Sequence, residues 1–252
     1  PELFAKGHAG RPPQLCLSEP VTLAQFVQDG RDFFDGADTP MLRDQRKRYP
    51  EVSNYFAVVP EDNVGWCRCD ACRAQLTVQP EDSRVNGNAS DHVWGFVDAV
   101  ARELKKSHPD KWVSALAYWH YSFPPKNVRI EDNIAVQLCM QVRMPYARER
   151  QRADWAMAAA WGREYPDMPK YVWAYYCFPE ERSNRGPRDP AWRPSWHCFP
   201  GFFARTIASE FRKYRDINVR GIYFNGFGYD VENYVTFALL EDVDADVEAV
   251  LL

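Results

Sequence analysis

No stretch of this chain stays apolar long enough to cross a bilayer. The longest uncharged run, Trp112 to Pro125, is about 14 residues against the ~18 of a spanning helix, and Pro124-Pro125 breaks it. Neither sign of charge dominates. The 31 Lys+Arg against 35 Asp+Glu leave a formal net charge of −4, which gives no broad field for nucleic acid or an anionic membrane surface. Glycine-rich phosphate cradles are missing too: neither GxGxxG nor GxxxxGK(S/T) follows a strand candidate, so nothing points to a nucleotide or dinucleotide site. There is no internal repeat, no low-complexity segment, and no nucleophile-elbow motif around Cys139, Cys177 or Cys198. The cysteine count is odd, so the seven thiols cannot all pair within the chain and the redox compartment stays open.

What is present is a chain of 252 residues, 46% apolar and 15% aromatic, enough for one substantial core at the upper size of a single domain. It opens on Pro1, as a processed, trimmed or excerpted product would, so a leader would be invisible in it. Nearly continuous apolar runs predict strands at Gln14–Ser18, Tyr55–Pro60, Trp112–Trp119, Ile134–Gln141, Tyr171–Phe178 and Val219–Asn225. Helix-compatible runs lie at Val21–Phe34, Asp91–Ser107, Arg148–Glu164, Gly201–Arg215 and Val231–Leu240, with Ser90 placed to cap the second of them. Strand–helix alternation implies right-handed βαβ units. Six such steps fit an α/β (β/α)8 TIM barrel that lacks its first one or two βα units in this chain, an open doubly wound sheet being the other option. On that reading residues 1–252 form a single barrel domain with strands about three to eight, and a Cys-rich loop spans 63–90.

Chemistry in a barrel sits where strands end, so the polar residues after each strand are the candidates. Glu61, Asp62 and Asn63 follow one strand, with Trp66 just beyond; Tyr118 and His120 end the next; Arg143, then Trp173, Tyr175 and Tyr176, then Asn225 belong to the last three. Adjacent carboxylates can divide the labour of glycosidic cleavage. One stays ionised while its neighbour, harder to ionise beside a like charge, keeps a proton for the leaving oxygen. With an N-acetyl sugar, one carboxylate can orient the acetamide as internal nucleophile while the other acts as acid. Pro-Glu-Asp-Asn is equally good turn chemistry. Aromatic rings stack on sugar faces, but alternation lets only about half of those on a strand face the cleft. Basic clusters such as Arg43 to Arg48 and Arg148 to Arg152 read as solvated helical faces.

Cys67-Arg-Cys69-Asp-Ala-Cys72 has the spacing of part of a zinc knuckle or of a loop clipped by a disulfide, with free thiols as the third option. A closed zinc site needs a fourth ligand. His92 and Cys16 are the nearest candidates, and neither spacing is diagnostic. No catalytic metal and no cofactor is expected.

Pro1-Glu-Leu-Phe-Ala5, Gln14-Leu-Cys16-Leu-Ser18-Glu-Pro20, the Asp62-Asn63 pair, the Cys67/Cys69/Cys72 cluster, Pro109-Asp-Lys111 and the closing Tyr234 to Leu240 together resemble a bacterial glycosidase-clan family catalogued as domain of unknown function 4838. It is similar to glycoside hydrolase family 163, whose members are endo-β-N-acetylglucosaminidases acting on complex N-glycans. The resemblance implies a TIM barrel, an upstream barrel segment of the same protein, a glycan partner and a secreted, periplasmic or cell-surface bacterial setting. It puts Asp62 on the family's motif acid, after the fourth barrel strand, and Glu61 where a neutral residue is more usual. Many relatives read Glu-Gly after the last strand, whereas this chain reads Asn225-Gly226. That departure implies the alternative of a glycan-binding barrel without catalysis. A zinc-stabilised interaction module around the cysteines is a third reading. The leading expectation is a glycoside hydrolase whose Asp62 faces a sugar-sized hollow at the strand rim.

Overall fold

A computed structural model describes residues 3–40, 42–43, 54–77, 87–140, 148–176, 203–225 and 230–252. In chain order the elements are α1 (Pro20–Asp35), β1 (Tyr55–Ala57), α2 (Asp70–Arg73), α3 (Ser90–Ser107), β2 (Trp112–Ala117), a 3-10 turn (Trp119–Tyr121), β3 (Ile134–Met140), α4 (Arg148–Glu164), β4 (Lys170–Tyr175), α5 (Ala204–Asp216), β5 (Val219–Asn225), α6 (Asp230–Glu241) and α7 (Val247–Val250). This is an α/β fold: one five-stranded parallel sheet, ordered β1-β2-β3-β4-β5, flanked by helices. Among the described residues, no helix is long and apolar enough to cross a membrane. The chain parts into two compact units, Pro1–Val136 and Gln137–Leu252.

In the N-terminal unit β1 runs parallel to β2, with Tyr55 opposite Trp112 and Ala57 opposite Ser114. α3 forms because Val93, Phe96, Val97, Val100, Ala101 and Leu104 recur at helical spacing, and the structure buries all six. Ser90 is the first residue of that helix and not its cap. Ala89 stands at the N-cap without a side-chain bond, while Asp91 accepts from the backbone amides of Lys126 and Asn127. α1 packs on α3 where Gly30 lets Leu104 approach closely: a methyl group on Gly30 would lie 2.7 Å from Leu104 Cδ1. Phe33, Phe34 and Phe56 close the same layer with ring centroids 5.4–6.3 Å apart.

The expected strand at Gln14–Ser18 is absent. That segment makes only an isolated antiparallel bridge, Phe4 to Leu15, framed by Ala5 N–H to Gln14 O at 2.9 Å and Cys16 N–H to Leu3 O at 2.8 Å. Pro12, Pro13 and Pro20 flank it, and each removes a donor that a ladder would need.

In the C-terminal unit β4 and β5 are parallel, with Trp173 opposite Tyr223 and Tyr175 opposite Asn225. Burial alternates along β4: Lys170, Val172 and Ala174 are buried, and Tyr171, Trp173 and Tyr175 half-buried on the other face. Trp155 of α4 stacks on Tyr214 of α5 at 5.6 Å, and Tyr176 OH meets Thr236 Oγ1 of α6 at 2.9 Å. Lys170 has no exposed surface. Its ammonium donates to the carbonyls of Tyr165 at 2.5 Å, Met168 at 3.1 Å and Pro166 at 3.4 Å, just past the end of α4.

Candidate functional site

The carboxylate rim is built where two neighbouring parallel strands stop. β1 ends at Ala57, one more ladder bond follows (Val58 N–H to Ser114 O, 2.8 Å), and Pro60 then ends the pairing because it has no N–H. The chain turns through Glu61, Asp62 and Asn63. Gln14 grips this turn: its side-chain amide donates to Glu61 O at 2.6 Å and Asn63 O at 3.0 Å, and its Oε1 accepts from Glu61 N–H at 3.1 Å. Asn63 is spent inside the turn, donating to Pro13 O at 2.8 Å and accepting from Gly65 N–H at 2.9 Å. Gly65 has to be glycine, since a Cβ there would fall 2.2 Å from Pro13 Cγ.

Both carboxylates, Glu61 and Asp62, are exposed. Asp62 Oδ1 accepts a hydrogen bond of 3.1 Å from Tyr118 OH, the first residue past β2. Next comes Trp119, a bulky residue at φ +44°, a left-handed conformation that costs on the order of 1–3 kcal/mol and must be held by its surroundings. It leaves the indole 46% exposed, stacked at 4.8 Å over buried His120. A carboxylate, a phenol and an open aromatic face thus follow one another at the C-terminal ends of adjacent strands. Such a set can bind a polyhydroxylated ring, by stacking on its face and hydrogen-bonding at its edge.

Three of the cysteines in the other cluster follow that turn in sequence. The Phe4–Leu15 bridge carries Cys16 to Cys67, Cys69 and Cys72, and the four sulfurs lie within 4.8 Å of one another. Cys16, Cys67 and Cys72 have no exposed surface, and all four thiols are free. Cys16 Sγ lies 3.6 Å from Cys72 Sγ and 3.8 Å from Cys69 Sγ. Burial pushes the Cys16 thiol up to about 11 and Cys72 higher still. Of the two candidate partners for the knuckle, the structure brings in Cys16, while His92 points its Nδ1 at Gln75 Oε1 instead, 3.4 Å away.

Residues 1–176 match the family described as "Domain of unknown function (DUF4838)". The chain belongs to this family. No curated protein and no solved structure matches it. The match takes in both the carboxylate turn and the cysteine cluster of this DUF4838 protein.

The remaining candidates separate by burial. Trp66 is 1% exposed and packs edge-on against Tyr121 and His92, so it belongs to the core and offers no face to a sugar, contrary to expectation. His120 is likewise 1% exposed and lies under Trp119 instead of lining a cleft. Tyr176 is 1% exposed, stacked on Phe224 at 5.4 Å and bonded to Thr236, and therefore belongs to the core. Trp173 and Tyr175 share the half-buried face of β4, 6.3 Å apart, and Trp173 meets exposed Tyr223 edge-on at 4.6 Å. Asn225 is the last residue of β5. Arg143 lies outside the described residues. Sequence reasoning did not single out Gln14, the side chain that holds the turn. Its only signal is a polar residue directly after Pro12-Pro13, at the start of a short apolar run.

Proposed function

We propose that this DUF4838 chain acts on glycans as a glycoside hydrolase, on a (β/α)-barrel framework, with Asp62 at the reacting bond. The hydrogen bond from Tyr118 OH to Asp62 Oδ1 carries the reading. It orients the carboxyl group and leaves Oδ2 to meet substrate, with the exposed Trp119 ring next along the chain as a stacking platform. In the endo-β-N-acetylglucosaminidase form of the reaction, the substrate acetamide oxygen attacks the anomeric carbon as the glycosidic C–O bond breaks. One of the pair Asp62 and Glu61 orients the acetamide, the other gives its proton to the leaving oxygen, and water then opens the cyclic intermediate. Trp173 and Tyr175 are further stacking candidates in their own unit. A secreted, periplasmic or bacterial cell-surface location goes with such a substrate.

The test is a panel of N-acetylated glycans read by mass spectrometry. The unaltered chain is expected to release product, and Asp62→Asn to lose on the order of 10²–10⁴-fold in turnover while still binding. Tyr118→Phe should fall between the two. Binding without cleavage by the unaltered chain selects the second reading, a glycan-binding barrel without catalysis, which Asn225-Gly226 in place of Glu-Gly favours. Neither binding nor cleavage across the panel overturns both.

A further inference from the structure

We propose that Cys16, Cys67, Cys69 and Cys72 form a closed, structural Zn²⁺ site that fastens the N-terminal segment to the turn bearing Asp62. The argument is one of size, ligand type and surroundings, and it does not depend on the glycan reading. A tetrahedral zinc thiolate has Zn–S bonds of about 2.3 Å, so neighbouring sulfurs stand about 3.8 Å apart. The pairs Cys16–Cys72 and Cys16–Cys69 stand at 3.6 and 3.8 Å, already that edge length, and the widest pair, within 4.8 Å, needs to close by about 1 Å at most. A disulfide would instead require about 2.05 Å. Four soft sulfur donors gathered at this spacing select zinc over the hard cations that prefer oxygen.

The surroundings suit the charge that such a site carries. Four thiols lose their protons to solvent as the ion binds, leaving a net charge of −2 on the centre. The backbone N–H of Lys6 donates to Cys67 Sγ at 3.2 Å, and Ser18 Oγ lies 3.1 Å from Cys72 Sγ, positioned to donate to a thiolate. With four protein ligands and three of them wholly buried, no coordination position is left for water or substrate, so the ion is a staple and not a catalyst.

What it staples is specific. Cys16 lies two residues from Gln14, and Gln14 holds the Glu61–Asn63 turn through three hydrogen bonds. Cys67, Cys69 and Cys72 follow that same turn, so the ion ties both ends of the clamp together. Its removal loosens the segment from 61 to 77 before it affects the rest of the fold.

The experiment uses the full chain, purified under reducing conditions and analysed for metals by mass spectrometry. One zinc per chain is expected, either carried through purification or taken up on addition. Replacement by Co²⁺ should give the intense visible bands of a tetrahedral thiolate centre. Chelation should speed amide hydrogen exchange in 61–77, and Cys16→Ser should surrender zinc to a chelator that the unaltered chain withstands. The cobalt spectrum needs no substitution, so the test stands even if Cys16→Ser fails to fold. The proposal is overturned if the reduced chain takes up no zinc, if it holds iron instead, if the four thiols are isolated as disulfides, or if Cys16→Ser keeps zinc as tightly as the unaltered chain.

Discussion

His92 should make this protein sensitive to mild acid by an amount that can be worked out. The ring is 1% exposed on α3, lies edge-on to Trp66 at 6.2 Å, and has no partner for Nε2 among the described residues. Burial lowers its pKa from 6.5 to about 4, because an imidazolium there would be stripped of water. Below pH 6.5 the unfolded chain takes up a proton that the folded chain refuses, so stability falls as pH falls from 6.5 through 4 and changes no further below that. The full loss is about 3 kcal/mol, of which about 2 kcal/mol is already gone at pH 5. His92→Phe keeps an aromatic ring of similar shape and removes the titration. Urea unfolding of both chains at pH 7 and pH 5 isolates the effect, because every other titrating group, the cysteine cluster included, cancels in the comparison. The gap between the chains should shift by about 2 kcal/mol in favour of His92→Phe on going to pH 5. Parallel losses in the two chains would refute the reasoning, since the imidazole would then be protonated in place at little cost.

Two further outcomes follow from packing at named positions. Gly30→Ala gains about 1 kcal/mol of helix propensity but drives a methyl group to 2.7 and 2.9 Å from the two terminal carbons of Leu104, which is itself 1% exposed and cannot swing aside. Overpacking of about 1–3 kcal/mol should win, lowering the urea midpoint; a raised midpoint would contradict this. Gln14→Leu removes all three bonds to the Glu61–Asn63 turn at nearly constant volume. Amide exchange at residues 61–65 should quicken while that of α3 stays as it was, and unchanged exchange at the turn would show that Gln14 is not its clamp.

Much of the framework could be read from the residues alone. Val219–Asn225 and Arg148–Glu164 were legible as a strand and a helix, with the start at Val219 and the end at Glu164 falling where the structure has them and Pro166 as the breaker after the helix. The strand at Tyr55 shrank to three residues because Pro60 cannot extend the ladder, and Gln14–Ser18 failed as a strand for want of donors among its flanking prolines. The carboxylate turn was legible as a strand end followed by Pro-Glu-Asp-Asn. The faces of the rings were not. Alternation says that Tyr175 and Tyr176 point opposite ways but not which of them meets a helix, and Trp66 lies in a loop with no period to orient it. The fourth sulfur was legible only as one of two candidates: Cys16 and Cys72 are 56 residues apart, and only the fold of the N-terminal segment shows that Cys16 and not His92 joins the cluster.

The buried amine of Lys170 gives the molecule a gauge of its own opening. Its three carbonyl partners and lack of exposed surface keep acylating reagents away, although burial lowers its pKa to about 8, where free amine would otherwise be plentiful. Labelling of surface amines should therefore pass this one by. When the start of β4 comes loose, Lys170 enters solvent and becomes modifiable, so the rate at which it acquires a label follows the parting of that strand from the end of α4.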